Sequence, residues 1–408
     1  MVRRTRDGVR VLLYSQDGLG LGHLRRTSAI AGALVRARED ATVLTVCDSP
    51  LGPFFRPGPR QDSVKLPTVV KIAPGVWDAP ALERPFHEVS TLRKQILRSV
   101  VSGFEPDIIL VDHMPQGARG ELLPTLRALR DARRPPLVVL GLRDIVDAPE
   151  VVRGTWMAEG AYEALVHHYD KVLIYGRSDV LDAADAYAFP ESLRPRTHYT
   201  GYVCTADRPR YVRRVRARFS SHGGQDRRLL VATAGGGADG YPLMTAVLDA
   251  IPGLRADGRW SAVLITGPFL PPSLRRDLER RGRSLGVTVR SSVSDPLSYI
   301  EAADVVVARA GYCTSVELLR AGTPTVFVPR AGPSAEQRLR VERFVSRGWA
   351  AAVDPDVLSG DAVASAVLER LRRGGVPAPA PLGLDNAVHH LLATVPEAAT
   401  STTPRRVG

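Results

Sequence analysis

The sequence predicts two α/β domains in tandem, each a mostly parallel, doubly wound sheet, facing each other across a cleft. Three observations carry this. At 408 residues the chain is too long for one ordinary core and suits two domains of about 150–200 residues. Short apolar runs such as residues 107–112 and 304–308 read as strands buried on both faces. These strands alternate with helical stretches, and the alternation restarts after the polar turn SSHGGQD at 220–226. The expected divisions are residues 1–203, 204–375, and 376–408 as a last helix and a disordered tail.

In the first domain, residues 9–15 read as a strand, 22–38 as an amphipathic helix and 41–48 as a second strand. Residues 51–85, rich in Pro and Gly, read as one long loop of the kind that carries ligand contacts. A helix over 87–102 precedes the strand at 107–112, and a helix over 121–132 leads to the strand at 137–142. Residues 151–168 read as one helix, 171–175 as a strand, and 198–203 close the domain. A basic helical connector over 208–220 follows. In the second domain the strands fall at 228–233, 261–266, 287–290, 304–308, 325–328 and 350–353. The helices fall at 241–251, 272–285, 313–320 and 335–346, with a last one at 385–392.

Composition narrows the function. Hydrophobic residues at 44% and charged residues at 24% describe a globular chain. No apolar run approaches the ~18–20 residues that cross a bilayer, and the Arg-rich start with its short apolar stretch is not a signal peptide. Cys47, Cys204 and Cys313 are far apart and odd in number, so neither a disulfide framework nor a metal site is expected, and a reducing cytoplasm fits. The net charge of +12 is mostly Arg and suits phosphorylated ligands, an anionic membrane surface or nucleic acid. The basic runs at 210–218, 275–283 and 338–347 are not interleaved with aromatics, which total 6%, so a nucleic-acid partner is not expected.

The densest chemical signal is DVVVARAGYCTSVELLRAG at 304–322. A buried strand, a turn at Ala310-Gly311 and a helix N-terminus bring free backbone N–H groups to one point, which is an anion site. Glu317 lies about one turn inside that helix, where it either takes a ribose diol or is a surface carboxylate. Gly235, Gly236 and Gly237 form a second turn after a strand that would aim N–H groups at a diphosphate. The third is Gly18-Leu19-Gly20-Leu21-Gly22-His23, which puts His23 at a helix N-terminus as a general base, a sugar-phosphate ligand or a cap. Asp112-His113 and Arg143-Asp144 end two strands of the first domain and would point into the cleft as base or substrate clamp. Asp354-Pro355-Asp356 has a chelating spacing but reads as a turn, and the adjacent pairs His167-His168 and His389-His390 diverge on a helix.

The run SVSDPLSYIEAADVVVARAGYCTSVELLRAGTPTVFVPRAGPSAEQRLRVERFVSRGWA, residues 292–350, resembles glycosyltransferase family 28. That family includes the peptidoglycan enzyme adding N-acetylglucosamine to lipid I and plant diacylglycerol galactosyltransferases. Its members share the order Arg-(Ser/Ala)-Gly, a helical Glu, Gly-x-Pro, a Val-Pro strand, Gln before a helix, and Gly-x-Ala. His-Tyr-Thr-Gly-Tyr-Val at 198–203 and the glycine loop are similar to further family landmarks. Gly-Leu-Gly-His-Leu-Arg-Arg at 20–26 also resembles the opening of bacterial nucleotide-sugar hydrolases of the same two-domain form.

The resemblance implies the GT-B fold and an inverting, metal-independent transfer of sugar from a nucleoside diphosphate, UDP above all. Glu317 would bind the ribose, and Gly311 and Tyr312, with Ala310 and Thr314 beside them, would present N–H groups to the diphosphate. Val293 would lie on the base, Glu336 and Gln337 would read sugar hydroxyls, and Gly235 to Gly237 with Gly22 would complete the donor side. Where this chain has Gly237 the family often has Ser, and Gln337 is single where some relatives pair it. The base would be His23 or Asp112, with His113, Arg143 and Asp144 on the acceptor side. No cofactor is implied beyond the nucleotide sugar as co-substrate. The acceptor would be a small natural product, a glycan or a lipid headgroup, the last with peripheral contact to the inner membrane face. Alternatives of the same form are a nucleotide-sugar hydrolase or sugar 2-epimerase, and a non-catalytic nucleotide-sugar binding protein.

Overall fold

The computed structural model describes residues 8–17, 22–50, 57–73, 76–222, 225–374, 377–378 and 380–393. Seven strands make the first sheet: β1 (Arg10–Ser15), β2 (Thr42–Cys47), β3 (Gln61–Lys65), β4 (Ile108–Asp112), β5 (Leu137–Arg143), β6 (Lys171–Tyr175) and β7 (Thr197–Tyr199). Their order is β3-β2-β1-β4-β5-β6-β7 and every pairing is parallel. The second sheet holds β8 (Arg228–Thr233), β9 (Trp260–Ile265), β10 (Thr288–Arg290), β11 (Val305–Ala308), β12 (Thr325–Phe327) and β13 (Ala351–Ala352). Its order is β10-β9-β8-β11-β12-β13, again all parallel. In both sheets the order in which strands are added reverses beside the first strand. Ligands of open α/β sheets bind at that switch point, off the C-terminal strand ends.

Alternation along β1 explains the layering. Val11 and Leu13 face one side, with Ile30 and Leu34 of helix α1 (Gly22–Ala37). Leu12 and Tyr14 face the other, with Leu97, Leu126 and Trp156. The first of these clusters runs on through Tyr202, Val203 and Tyr312 into Val231, Phe327 and Phe344 of the second lobe. One apolar core therefore passes between the lobes.

Three expectations are corrected. Residues 51–85 do not form one loop: β3 extends the sheet edge and Val70–Ala73 pairs with Val76–Asp78 as a hairpin. The edge strand has an exposed, charged sequence without apolar alternation, so periodicity missed it. The single helix over 151–168 is two, Pro149–Glu159 and Ala161–His168, because Gly160 adopts a left-handed conformation (φ 71°) between them. The helix begun at Tyr241 continues through Pro252 to Asp257. The helices Pro296–Ala302 and Gly360–Arg373 had no counterpart in the sequence reading. The tail from residue 394 onward lies outside the described residues.

In the second lobe α2 (Tyr312–Ala321) and α3 (Glu336–Val345) are followed by the last helix, α4 (Gly383–Leu392). It returns from the second lobe to lie against α1, with Leu384 and Leu391 in the shared core. The Lys171 ammonium donates to the His390 carbonyl at 2.9 Å, and the Asn386 amide to the Thr200 carbonyl at 2.8 Å.

Candidate functional site

β1 and β4 are adjacent and parallel, with Ser15 opposite Asp112. The chain leaving β1 and the end of β4 therefore emerge side by side, which brings the start of α1 onto Asp112. His23 Nδ1 lies 2.6 Å from Asp112 Oδ2. Arg26, one turn further along α1, donates to both carboxylate oxygens, Nε to Oδ1 at 3.0 Å and Nη2 to Oδ2 at 2.7 Å. Arg26 and Asp112 are 3% and 1% exposed. Burial pushes the Asp112 carboxyl up, but Arg26 and His23 outweigh it and hold it below the usual carboxylate range. An ionised Asp112 only accepts, so the proton between the two is carried on His23 Nδ1, which also lies 2.9 Å from Arg26 Nη2. The His23 side chain is 19% exposed.

A second buried network supports this corner. Asp17 accepts from the Leu24 N–H at 2.9 Å, and its own N–H donates to Asp48 at 2.7 Å. Arg93 ties Asp48 to Glu121, gripping Glu121 with two bonds of 2.6 Å. The glycine loop at 18–21 lies outside the described residues; its flanks are held by these bonds.

His113 follows Asp112 with φ 72°, an uncommon backbone for a non-glycine residue. Its ring is 5.1 Å from that of His23. Burial, then Arg143 and His23, push it well below the ordinary histidine range, so it is neutral. His113 and Arg143 line a cavity of about 880 Å³, together with Lys71, Trp77, Trp156 and, from the second lobe, Ser334.

In the second lobe the ends of β8 and β11 lie side by side, Thr233 beside Ala308. Gly235 and Gly237 have φ 63° and 90°. A Cβ on Gly237 would run into the Thr266 carbonyl, so glycine is required where the resembled family often has Ser. Thr314 Oγ1 is 3.6 Å from where a Cβ on Gly235 would sit, so the glycine turn abuts the start of α2. Gly311 is the N-cap of α2 and no side chain caps it, leaving N–H groups for an anion. Val293 is half-buried against the shared core. Glu317 is 5% exposed and accepts from Arg25 of the first lobe.

Several expected ligand residues instead join the lobes. Asp144 does not face open cleft: it is buried and paired with the fully buried Arg340 of α3, at 2.6 and 3.0 Å. Glu336 is held by Arg340 at 2.8 Å and Arg143 at 2.9 Å. The Ala310 N–H donates to Gln337 Oε1 at 3.2 Å. Gln337 Oε1 also accepts from the Arg330 N–H at 3.1 Å, which orients the amide so that its NH₂ is the group left to donate. The Tyr312 hydroxyl accepts from the Val203 N–H and donates to the Tyr175 carbonyl, both at 2.8 Å, across the lobes. Asp354 and Asp356 hold Arg338. Among the described residues no three His, Cys, Asp or Glu side chains gather as a metal site.

Sequence reasoning gave Arg340 and Asp17 no role at the site, and it read Arg26 as a contact for an anionic acceptor, not as the partner of Asp112. A spacing signal existed for two of them: Arg26 is three residues from His23, and Arg340 four from Glu336, each on one helix face.

Two Rossmann-like lobes whose ligand-binding strand ends face one cleft define the GT-B fold. Residues 231–380, most of the second lobe, match the glycosyltransferase family 28 C-terminal domain. Over 139 residues the chain is 31% identical to the UDP-N-acetylglucosamine--N-acetylmuramyl-(pentapeptide) pyrophosphoryl-undecaprenol N-acetylglucosamine transferase of Acidothermus cellulolyticus. The match covers 34% of this chain and 37% of that relative, little more than a third of its length. Across nearly the whole chain the fold is similar to the calicheamicin glycosyltransferase CalG4, with 16% identity, a TM-score of 0.56, and 95% and 99% of the two chains covered. It is also similar to TcCGT1 in complex with UDP, with 15% identity, a TM-score of 0.63, and 95% and 99% covered. Among the described residues no helix is long and apolar enough to cross a membrane.

Proposed function

We propose that this chain is an inverting, metal-independent glycosyltransferase that moves a sugar from a UDP-linked donor to an acceptor hydroxyl. The observation that carries this reading is the meeting of two chemistries at one seam. The His23–Asp112 pair opens α1, and the uncapped N-terminus of α2 stands against it, with the Cys313 thiol donating to the Gly22 carbonyl at 3.3 Å. The donor diphosphate sits at the start of α2 and the glycine turn at 235–237, where N–H groups and the helix dipole take up the charge released as the glycosidic bond breaks. Glu317 takes the ribose, Val293 lies along the base, and the Gln337 NH₂ reads a sugar hydroxyl.

His23 Nε2 removes the acceptor proton while the acceptor oxygen attacks the anomeric carbon from the face opposite the leaving diphosphate. Asp112 holds the ring and offsets the imidazolium charge; locked by Arg26, it is not itself the base. The acceptor occupies the cavity of about 880 Å³, whose Trp77 and Trp156 suit an apolar body and whose Lys71 and Arg143 suit an anionic group. A space of that size favours an organic acceptor, whether natural product, glycan or lipid headgroup, over hydrolysis by water.

The test is turnover and UDP binding measured side by side. His23→Ala is expected to lower the rate by about 10²–10⁴-fold while UDP affinity stays within about twofold. Undiminished turnover in that variant rejects His23 as the base. UDP-sugar consumption at full rate without any acceptor establishes hydrolysis instead.

A further inference from the structure

The seam between α1 and α2 contains one contact that the proposed chemistry leaves unused. Arg25 Nη2, from the first lobe, donates to Glu317 Oε1 of the second. Both residues line a cavity of about 590 Å³ with Thr205, Ser294 and Cys313. Glu317 is almost wholly buried, and burial pushes its carboxyl up; Arg25 is the strongest opposing influence and Arg320 a weaker one. Arg320, on the same helix, is turned to the carbonyls of Thr205 and Asp207. The other titratable groups about this pair are Cys313 on α2 and Cys204 on the connection between lobes, both kept neutral by burial, which pushes each up to about 11. Arg25 is thus the one cation bonded to Glu317 among the described residues. A carboxylate this dry stays ionised only with such a partner. Oε2 of Glu317 has no hydrogen bond among the described residues.

We propose that Arg25 is a positioning residue that completes the nucleoside subsite from the opposite lobe, anchoring one oxygen of Glu317 so that the other, ionised and oriented, accepts from a ribose hydroxyl. The inference rests on the reading of Glu317 as the ribose acceptor. It makes donor affinity depend on both lobes, although the donor-binding elements belong to the second.

The experiment is isothermal titration of the full chain with UDP at pH 6, 7 and 8. The variants are Arg25→Ala, Arg25→Lys, Glu317→Gln and the double Arg25→Ala/Glu317→Gln, each checked for an unchanged thermal transition. Arg25→Ala is expected to weaken UDP about tenfold at pH 7, the size of a lost charge-assisted hydrogen bond. The sign of the pH effect follows from Glu317. Without Arg25 its carboxyl protonates at higher pH, so the loss grows at pH 6 and shrinks at pH 8. Arg25→Lys restores part of the affinity. In the Glu317→Gln background, where no charge needs compensation, Arg25→Ala changes affinity by less than about twofold.

Unchanged or tighter UDP binding by Arg25→Ala overturns the proposal, since Arg25 would then be idle or obstruct the site. An equal loss in the Glu317→Gln background also overturns it, because Arg25 would then touch the nucleotide directly. If the wild-type chain binds no UDP, the donor-site reading fails and this inference falls with it. Wild-type binding with an indifferent Arg25→Ala rejects this inference alone.

Discussion

Arg26 is the buried cation that holds the His23–Asp112 corner together. It is buried, gives two hydrogen bonds to Asp112, and lies 5.4 and 5.1 Å from the ring centres of Tyr175 and Tyr312. Removing it strands a buried carboxylate, and losses of roughly 3–5 kcal/mol follow from breaking such pairs. Arg26→Leu is therefore expected to lower the urea midpoint strongly, and a second change, Asp112→Asn, to recover much of that loss. An Arg26→Leu variant as stable as the wild type would show that Asp112 is not a charged partner of Arg26. Asp112 also sets an acid limit. Its folded value lies below its unfolded one, so its contribution is present above about pH 4 and lost as pH falls through the folded value. Stability measured from pH 5 to 2 should accordingly fall more steeply in the wild type than in Asp112→Asn.

The glycine turn at 235–237 and the start of α2 are placed by the end of one strand pair, β8 and β11, whose register sets Thr233 beside Ala308. This unit was legible in the sequence because a triple-valine strand, a glycine turn and a helix with Gly322 at its end are all local signals. Gly237→Ala meets both an unfavourable φ of 90° and the Thr266 carbonyl. The expected result is a loss of about 1–3 kcal/mol, read as a lower thermal midpoint, with weaker UDP binding because the turn must move. Gly311→Ala, with φ −64° and open space at its Cβ, should by contrast leave the fold intact. The break at Gly160 and the edge strand β3 were less legible, the first because the helical period runs on across it and the second because β3 has no apolar alternation.

Across the whole molecule, the lobes are joined by groups that looked like ligand contacts in the sequence. Asp144–Arg340, Glu336 with Arg143, and the Tyr312 hydroxyl between Val203 and Tyr175 all cross the interface. A shared apolar core and the returning helix α4 add to them. Arg340→Leu should loosen this arrangement, with a radius of gyration that rises in small-angle scattering and a thermal midpoint that falls. Retention of both values would mean that the apolar core alone fixes the lobes.

The sequence by itself determined the alternating strands and helices, the glycine turns, the helix that presents Glu317 and the position of His23, because each is signalled by residues within about twenty positions of one another. Only the tertiary structure decided the partners. Asp112 meets His23 across 89 residues, Arg25 meets Glu317 across 292, and Arg340 meets Asp144 across 196. The same residue types serve as ligand contacts when they face solvent and as interface ion pairs when they are buried. Burial and partner are set by the packing of two sheets, which no local spacing encodes.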